Sequence, residues 1–296
     1  MSVYWGLRAG IALSRLIPLS VSYRLGMMGG EAVYWCWPSK RRNTRLNMAV
    51  IASDPGGGPR AAALARASLR NYGRYVIDFL NLPNVPAEEI VRRIRVQGWE
   101  HLDRAMEFGR GAIFVTGHFG LWDYAPVVVA SRYPGKVHVV AEPFSSDRLD
   151  RLIQGQRAAK GATVIPMTNV RQMIRTLRSN NILALLVDRP VQNDGVPVTF
   201  FGRQTLVPAG AATLAALTGA TILPGYMMHR EGGGYEGIIM PPVEVSATGD
   251  REHDVRRTTQ AVFSSLEQFI ARHPHYWYMF RDMWGLATTS PVEVKV

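Results

Sequence analysis

The stretch Ala112-Ile113-Phe114-Val115-Thr116-Gly117-His118-Phe119-Gly120-Leu121-Trp122-Asp123 decides how this chain is read. Five apolar or β-branched residues without a charge predict a strand buried on both faces. The turn Gly109-Arg110-Gly111 precedes it, and a helical pattern over about 122–132 follows it. A strand that runs through a glycine-rich turn into a helix is the unit of an α/β sheet, and sites in open α/β sheets gather at the carboxyl ends of the strands. His118 and Asp123 stand at such an end. Five positions apart, they do not share a face of a regular helix. Gly117 and Gly120 give the turn the freedom to fold them together. A carboxylate on one imidazole nitrogen fixes the tautomer and leaves the other nitrogen able to take a proton from a hydroxyl. The plainer alternative is a strand-end histidine followed by a helix-capping aspartate.

The pattern outward from this stretch is strand alternating with helix. Residues 60–80 and 87–95 read as helices, 94–97 as a strand and 99–108 as a helix. Strands are then expected at 136–141, 162–165, 182–187 and 220–228, with helices at 147–160, 170–179 and 208–218. The fold class is α/β, with a mostly parallel central sheet and helices on both faces. Residues 204–229 carry no charge, but Pro208, Gly210, Gly219, Pro224 and Gly225 interrupt them; a buried helix–strand pair is expected, not a membrane span. Asp54-Pro55-Gly56-Gly57-Gly58-Pro59 is a chain break.

The chain has 296 residues, is 47% hydrophobic and 19% charged, and can bury a sizeable core. Its formal net charge of +11 calls for an acidic partner: nucleic acid, anionic lipid or a phosphorylated cofactor. One cysteine, Cys36, excludes an intrachain disulfide and a cysteine zinc site. Residues 1–45 hold seven basic residues and one acidic residue, Glu31, among Tyr4, Trp5, Tyr34, Trp35 and Trp37. Arginine beside tryptophan and tyrosine is the composition of a segment lying on a bilayer, and Arg8, Arg15, Pro18 and Arg24 interrupt it too often for a spanning helix. The expected division is therefore a basic amphipathic membrane-associating segment, 1–45, and a single α/β domain, 46–296. A basic helix packed on the domain is the competing reading.

Gly232-Gly233-Gly234-Tyr235-Glu236-Gly237 satisfies G-x-G-x-x-G in letters, but it precedes a strand pattern, Ile238-Ile239-Met240, and a hairpin turn is expected. There is no Walker sequence and no G-x-S-x-G elbow, which removes the support for a serine hydrolase. His273 and His275 have no ligand partners at metal spacing, so no metal site is expected. No nucleic-acid module is recognisable.

His-x4-Asp after a strand resembles the signature of the glycerolipid and glycolipid acyltransferases. Further blocks are similar to one branch, the lipid A lauroyl/myristoyl acyltransferases and the related phosphatidylinositol mannoside acyltransferases. They are Trp37-Pro38-Ser39-Lys40-Arg41-Arg42 with Asn47, Gln156-Arg157-Ala158-Ala159-Lys160-Gly161, Leu186-Val187-Asp188-Arg189, Phe200-Phe201-Gly202-Arg203 leading to Pro208-Ala209-Gly210, and His275-Tyr276-Trp277-Tyr278-Met279-Phe280-Arg281. The resemblance implies a glycerolipid-acyltransferase-like fold at the cytoplasmic face of the plasma (inner) membrane, peripheral or monotopic. His118 would be the general base and Asp123 its orienting partner, with Arg157, Asp188 and Arg189 as substrate-binding residues. Arg189 departs from the Asp–Gln-like pair often found there. No bound cofactor is implied; the co-substrate would be an acyl-CoA or acyl carrier protein thioester, and the acceptor a hydroxyl of a glycolipid. Deprotonating that hydroxyl needs no acyl-enzyme. Heavy arginine use beside four lysines leans toward a phosphatidylinositol mannoside over a lipid A precursor. The alternatives are a lysophospholipid acyltransferase and a catalytically inactive lipid-binding protein of the same fold.

Overall fold

The computed structural model describes residues 2–54, 56–144, 146–189, 191 and 195–285; Pro55 of the expected chain break and residues 286–296 of the expected domain lie outside the described residues. In chain order the elements are α1 (Ser2–Leu13), α2 (Leu19–Cys36), α3 (Pro38–Ile51), α4 (Pro59–Asn81), α5 (Ala87–Arg92), β1 (Ile94–Gln97), α6 (Trp99–Glu107), β2 (Ala112–Thr116), α7 (Ala125–Arg132), β3 (Val137–Ala141), α8 (Asp147–Ala158), β4 (Thr163–Pro166), α9 (Val170–Arg178), β5 (Ile182–Leu186), β6 (Val196–Phe200), β7 (Arg203–Val207), α10 (Gly210–Thr218), β8 (Thr221–His229), β9 (Tyr235–Ile239) and α11 (Arg251–Arg272).

Seven strands form one sheet in the order β1-β9-β8-β2-β5-β3-β4, and β6 and β7 form a separate antiparallel pair. Within the large sheet only β8 and β9 pair antiparallel; the other neighbours are parallel. Successive residues of β2 feed opposite cores. Ile113 and Val115 join one with Met173, Leu214 and Phe263, and Ala112 joins the other with Leu102, Ala105 and Val129. That two-sided burial is what an uncharged strand sequence requires. The glycine-rich segment 232–234 is the turn between antiparallel β8 and β9, as expected. Residues 204–229 resolve into β7, α10 and β8.

Two differences from the sequence expectation affect the site. The helix expected from 122 begins at Ala125, with Pro126 in its first turn, where a missing N–H costs nothing. Trp122 and Asp123 therefore lie in a turn between strand and helix. In addition, α11 and the β6–β7 pair carry no earlier expectation. Asp250 precedes α11, and its carboxylate caps the helix by accepting from the N–H groups of Glu252 and His253.

The N-terminal helices are built onto the rest of the chain. Helix α2 packs along α4 by backbone contact at glycines: a Cβ on Gly30 would stand 2.1 Å from the Leu69 carbonyl oxygen, and one on Gly73 2.0 Å from that of Gly26. From α3, the fully buried Asn47 donates to the carbonyls of Met279 (2.8 Å) and Arg281 (2.7 Å) and accepts from the Met283 N–H at 3.1 Å. From α4, Ser68 donates to the Trp277 carbonyl at 2.7 Å. These side chains fix the C-terminal segment 275–283 beside the sheet.

Adjacent glycines of α2 give a test. Gly29 has open space where a Cβ would go, so Gly29→Ala should raise stability by about 0.5–1 kcal/mol through helix propensity. Gly30→Ala, which must push α2 off α4, should lower it by about 1–3 kcal/mol. Urea unfolding of the two variants checks the opposite signs; equal effects would contradict the packed seam.

Candidate active site

The loop after β2 carries His118, with 16% of its side chain exposed at the carboxyl rim of the sheet. Its Nδ1 lies 2.7 Å from Oδ1 of Asp188, which follows the neighbouring strand β5. The His118 backbone N–H donates to Asp188 Oδ2 at 2.8 Å, and the indole N–H of Trp277 donates to the same oxygen at 2.9 Å. Asp188 is fully buried. Burial by itself pushes a carboxyl up, but the imidazole beside it, the His118 N–H and the Trp277 N–H outweigh that and hold Asp188 below the usual carboxylate range. An ionised Asp188 accepts, so Nδ1 of His118 carries the proton and Nε2 is left as the basic nitrogen.

Two glycines permit this approach. A Cβ on Gly117 would lie 2.8 Å from Asp188 Oδ2, so only glycine lets the carboxylate reach the loop. Gly120 has φ +57°, and a Cβ there would stand 1.9 Å from the Met227 carbonyl oxygen. The loop is pinned from both sides: Gly120 N–H donates to Tyr276 O (2.9 Å), Leu121 N–H to Met227 O (2.8 Å), and Tyr278 N–H to His118 O (2.8 Å).

Asp123 does not orient His118. Its Oδ2 accepts from the Tyr75 hydroxyl at 2.6 Å and its Oδ1 from Nε of Arg157 at 2.7 Å. This corrects the expectation of a His118–Asp123 pair: the turn sends the two side chains to different neighbours. Asp188, expected as a substrate contact, is the residue on the imidazole. Arg157, expected as a phosphate contact, spends its Nε on Asp123 and donates from Nη1 to Gln154 at 2.9 Å. Burial works against the Arg157 charge, but Asp123 more than restores it. Burial first, and Asp123 second, push the Tyr75 phenol well up, so it stays a donor. Arg189 points outward and pairs with Glu142 at 2.9 Å, both side chains largely exposed.

Trp122 connects the two clusters. It stacks on Tyr75 with centroids 4.0 Å apart and meets the His118 ring edge-on at 5.4 Å. Tyr75, Trp122 and Trp277 were not singled out as site residues from the sequence. Tyr75 and Trp277 have no spacing relation to His118; the resemblance of the 275–281 block was the only signal near the latter. Among the described residues no group of His, Cys, Asp and Glu could hold a metal ion.

A polarised imidazole at a sheet rim, backed by a buried carboxylate, can take a proton from a bound hydroxyl. The family model for bacterial lipid A biosynthesis acyltransferases matches residues 1–285. A phosphatidylinositol mannoside acyltransferase of Mycobacterium tuberculosis (strain ATCC 25618 / H37Rv) is 31% identical over 288 residues, covering 95% of this chain and 88% of that protein. The phosphatidylinositol mannoside acyltransferase of Mycolicibacterium smegmatis (strain ATCC 700084 / mc(2)155) is 31% identical over 285 residues, covering 94% and 90%. The chain belongs to the bacterial lipid A biosynthesis acyltransferase family, and it is an acyltransferase.

Folding depresses the Asp188 pKa, so its contribution to stability is present above the unfolded-state value and is lost as pH falls through the folded one. Asp188→Asn should therefore flatten the acid limb of the stability–pH curve. An unchanged limb, measured by denaturant midpoints from neutral to acid pH, would contradict an ionised, buried Asp188.

Proposed function

We propose that the chain moves a fatty acyl group from a thioester, acyl-CoA or acyl carrier protein, to a hydroxyl of a glycolipid, with His118 as general base and Asp188 as its orienting carboxylate. The observation that carries this reading is the 2.7 Å contact of Asp188 with Nδ1, which leaves Nε2 at the rim. The acceptor hydroxyl gives its proton to Nε2 as its oxygen attacks the thioester carbonyl. The C–O bond forms, the C–S bond breaks, and the imidazolium returns the proton to the departing thiolate. No covalent enzyme intermediate is needed, because a thioester is already electrophilic and the main requirements are alignment and a base. The N–H groups of residues 118–121 are all engaged within the protein, so the oxyanion is stabilised from elsewhere. Asp123 acts at one remove: it holds Arg157 and Tyr75, and Tyr75 holds Trp122 against the imidazole.

A phosphatidylinositol mannoside is the acceptor we favour, since the relatives at 31% identity carry that name. Work at a bilayer surface is supported by α2. Val21, Leu25, Met28 and Trp35 follow one another at helical spacing and all are exposed. Lys40 stands over the exposed Trp37 just past the C-terminal end of the same helix. Among the described residues no helix is long and apolar enough to cross a membrane, which fits a helix lying on the surface.

Incubated with palmitoyl-CoA and a panel of acceptor lipids, the protein should release CoA only with an acceptor. His118→Ala should abolish that release with its thermal midpoint preserved; retained turnover would remove His118 as the base. Asp188→Asn should lower kcat by up to about 10⁴, the loss seen when a carboxylate that fixes a catalytic imidazole is neutralised, and Asp123→Asn should cost less. Leu25→Glu with Trp35→Glu should weaken binding to vesicles without unfolding the chain. Truncation of the helix is not a clean test, because it would uncover the α4 seam. Undiminished binding would move the membrane surface off α2.

A further inference from the structure

Helix α9 carries Arg171, Arg175 and Arg178 and no acidic residue. At about 3.6 residues per turn the three fall within about 60° of one another, opposite the buried Met173, Thr176 and Leu177. All three are exposed. Among the described residues none of their side chains has an ion pair, a hydrogen bond or a ring contact. The elements packed beside α9 offer no counter-charge either, since β5 and α10 are uncharged throughout. Other arginines of the chain are answered from within it: Arg66 and Arg70 by Glu31, Arg132 by Asp103, Arg157 by Asp123. Like charges one turn apart do not support a helix, so the α9 row does nothing for the fold and suits an acidic partner from outside.

The place of α9 in the fold indicates what that partner brings. The helix connects the carboxyl end of β4 to the amino end of β5, so it starts at the rim that holds His118 and Asp188 and runs down the side of the sheet. In the sheet order β2-β5-β3-β4, its starting point lies three strand spacings from β2, about 14 Å. Met167 and Val170, at that starting point, are exposed. Past Val170 every exposed position of α9 is an arginine. A face of that kind has no apolar side chains to enter a bilayer, unlike the stripe of α2. It spans about 10 Å, the length over which acidic side chains on successive turns of another helix can pair with it. We propose that the Arg171–Arg175–Arg178 face docks an acidic helical protein that delivers the acyl thioester, an acyl carrier protein, with Met167 and Val170 as apolar contacts at the end nearest the site. The acyl group of such a donor rides on a flexible phosphopantetheine arm, so the carrier docks on the side of the sheet and the arm alone crosses the rim to His118. This rests on the acyl-transfer reading given above and names the donor and its docking face.

The test is steady-state kinetics of the full chain with two donors of one chain length, palmitoyl–acyl carrier protein and palmitoyl-CoA, at several salt concentrations. The variant is Arg171→Glu, Arg175→Glu and Arg178→Glu together, checked by its thermal midpoint; Arg175→Glu alone serves if the triple variant is poorly folded. Three exposed ion pairs together are worth about tenfold. The triple variant should therefore raise KM for the carrier-bound donor at least about tenfold, leave kcat near wild type, and lose the salt dependence that the wild type shows with that donor. Its KM for palmitoyl-CoA and its binding to phosphatidylglycerol vesicles should stay at the wild-type values. A wild-type KM for the carrier-bound donor, or an equal loss with both donors, would overturn the docking face. Weakened vesicle binding with carrier kinetics unchanged would assign the row to a bilayer instead. A wild type that turns over palmitoyl-CoA alone would overturn this inference and leave the acyl-transfer reading standing; turnover of neither donor with any acceptor would remove both.

Discussion

A carboxylate in the dry interior costs several kcal/mol unless it is paired and hydrogen-bonded. Asp188 is fully buried and receives three donors: the His118 backbone N–H, the His118 ring and the Trp277 indole. These come from β2's loop and from the C-terminal segment, while Asp188 itself follows β5. The site depends on bringing those three pieces of chain to one point. Parallel pairing of β2 and β5 sets Thr116 opposite Leu186, so both strands end at the same level. Gly117 provides the gap. Asn47 and Ser68, from the helices α3 and α4, hold the segment that brings Trp277. The N-terminal helices therefore help to build the site as well as flanking it.

The two aspartates have separate tasks. Asp188 touches the imidazole; Asp123 anchors Arg157 and Tyr75 one turn away. Each negative charge has its own partner in the low-dielectric interior, so the two carboxylates need not compete for one cation. Trp122, stacked between Tyr75 and the edge of the imidazole ring, carries the geometry of one cluster to the other. On the proposed mechanism this arrangement limits the imidazole's rotation while leaving Nε2 toward the substrates.

Much of the fold was legible because its signals are local. The uncharged run 112–116, the break around Asp54 and Pro59 and the prolines after 82 mark elements that the structure places within a few residues. The site was legible only as a neighbourhood. His118, Asp123, Arg157, Asp188 and Arg189 could be named from the strand-end rule and the resemblance. Which aspartate meets the histidine could not, because it depends on strand order: β5 lies beside β2 in the sheet but some seventy residues away in the chain. The spacing of His118 and Asp123 suggested a local pair, and a turn with Gly120 at positive φ undid it. Trp277 and Tyr75 leave no periodic trace at all. The helix α11 had a readable cap in Asp250, but its buried face is interrupted by Asp254, Thr258 and Thr259, which blurs the apolar stripe.

The most direct test of this account is nitrogen-15 NMR of the histidine-labelled protein, with His118 assigned by its loss in His118→Gln. The account predicts that Nδ1 of His118 carries the proton held by Asp188 and that Nε2 is the nitrogen that gains and loses one. That state should persist in Asp123→Asn and be lost in Asp188→Asn. A His118 protonated at Nε2, or a tautomer that follows Asp123 and ignores Asp188, would contradict it.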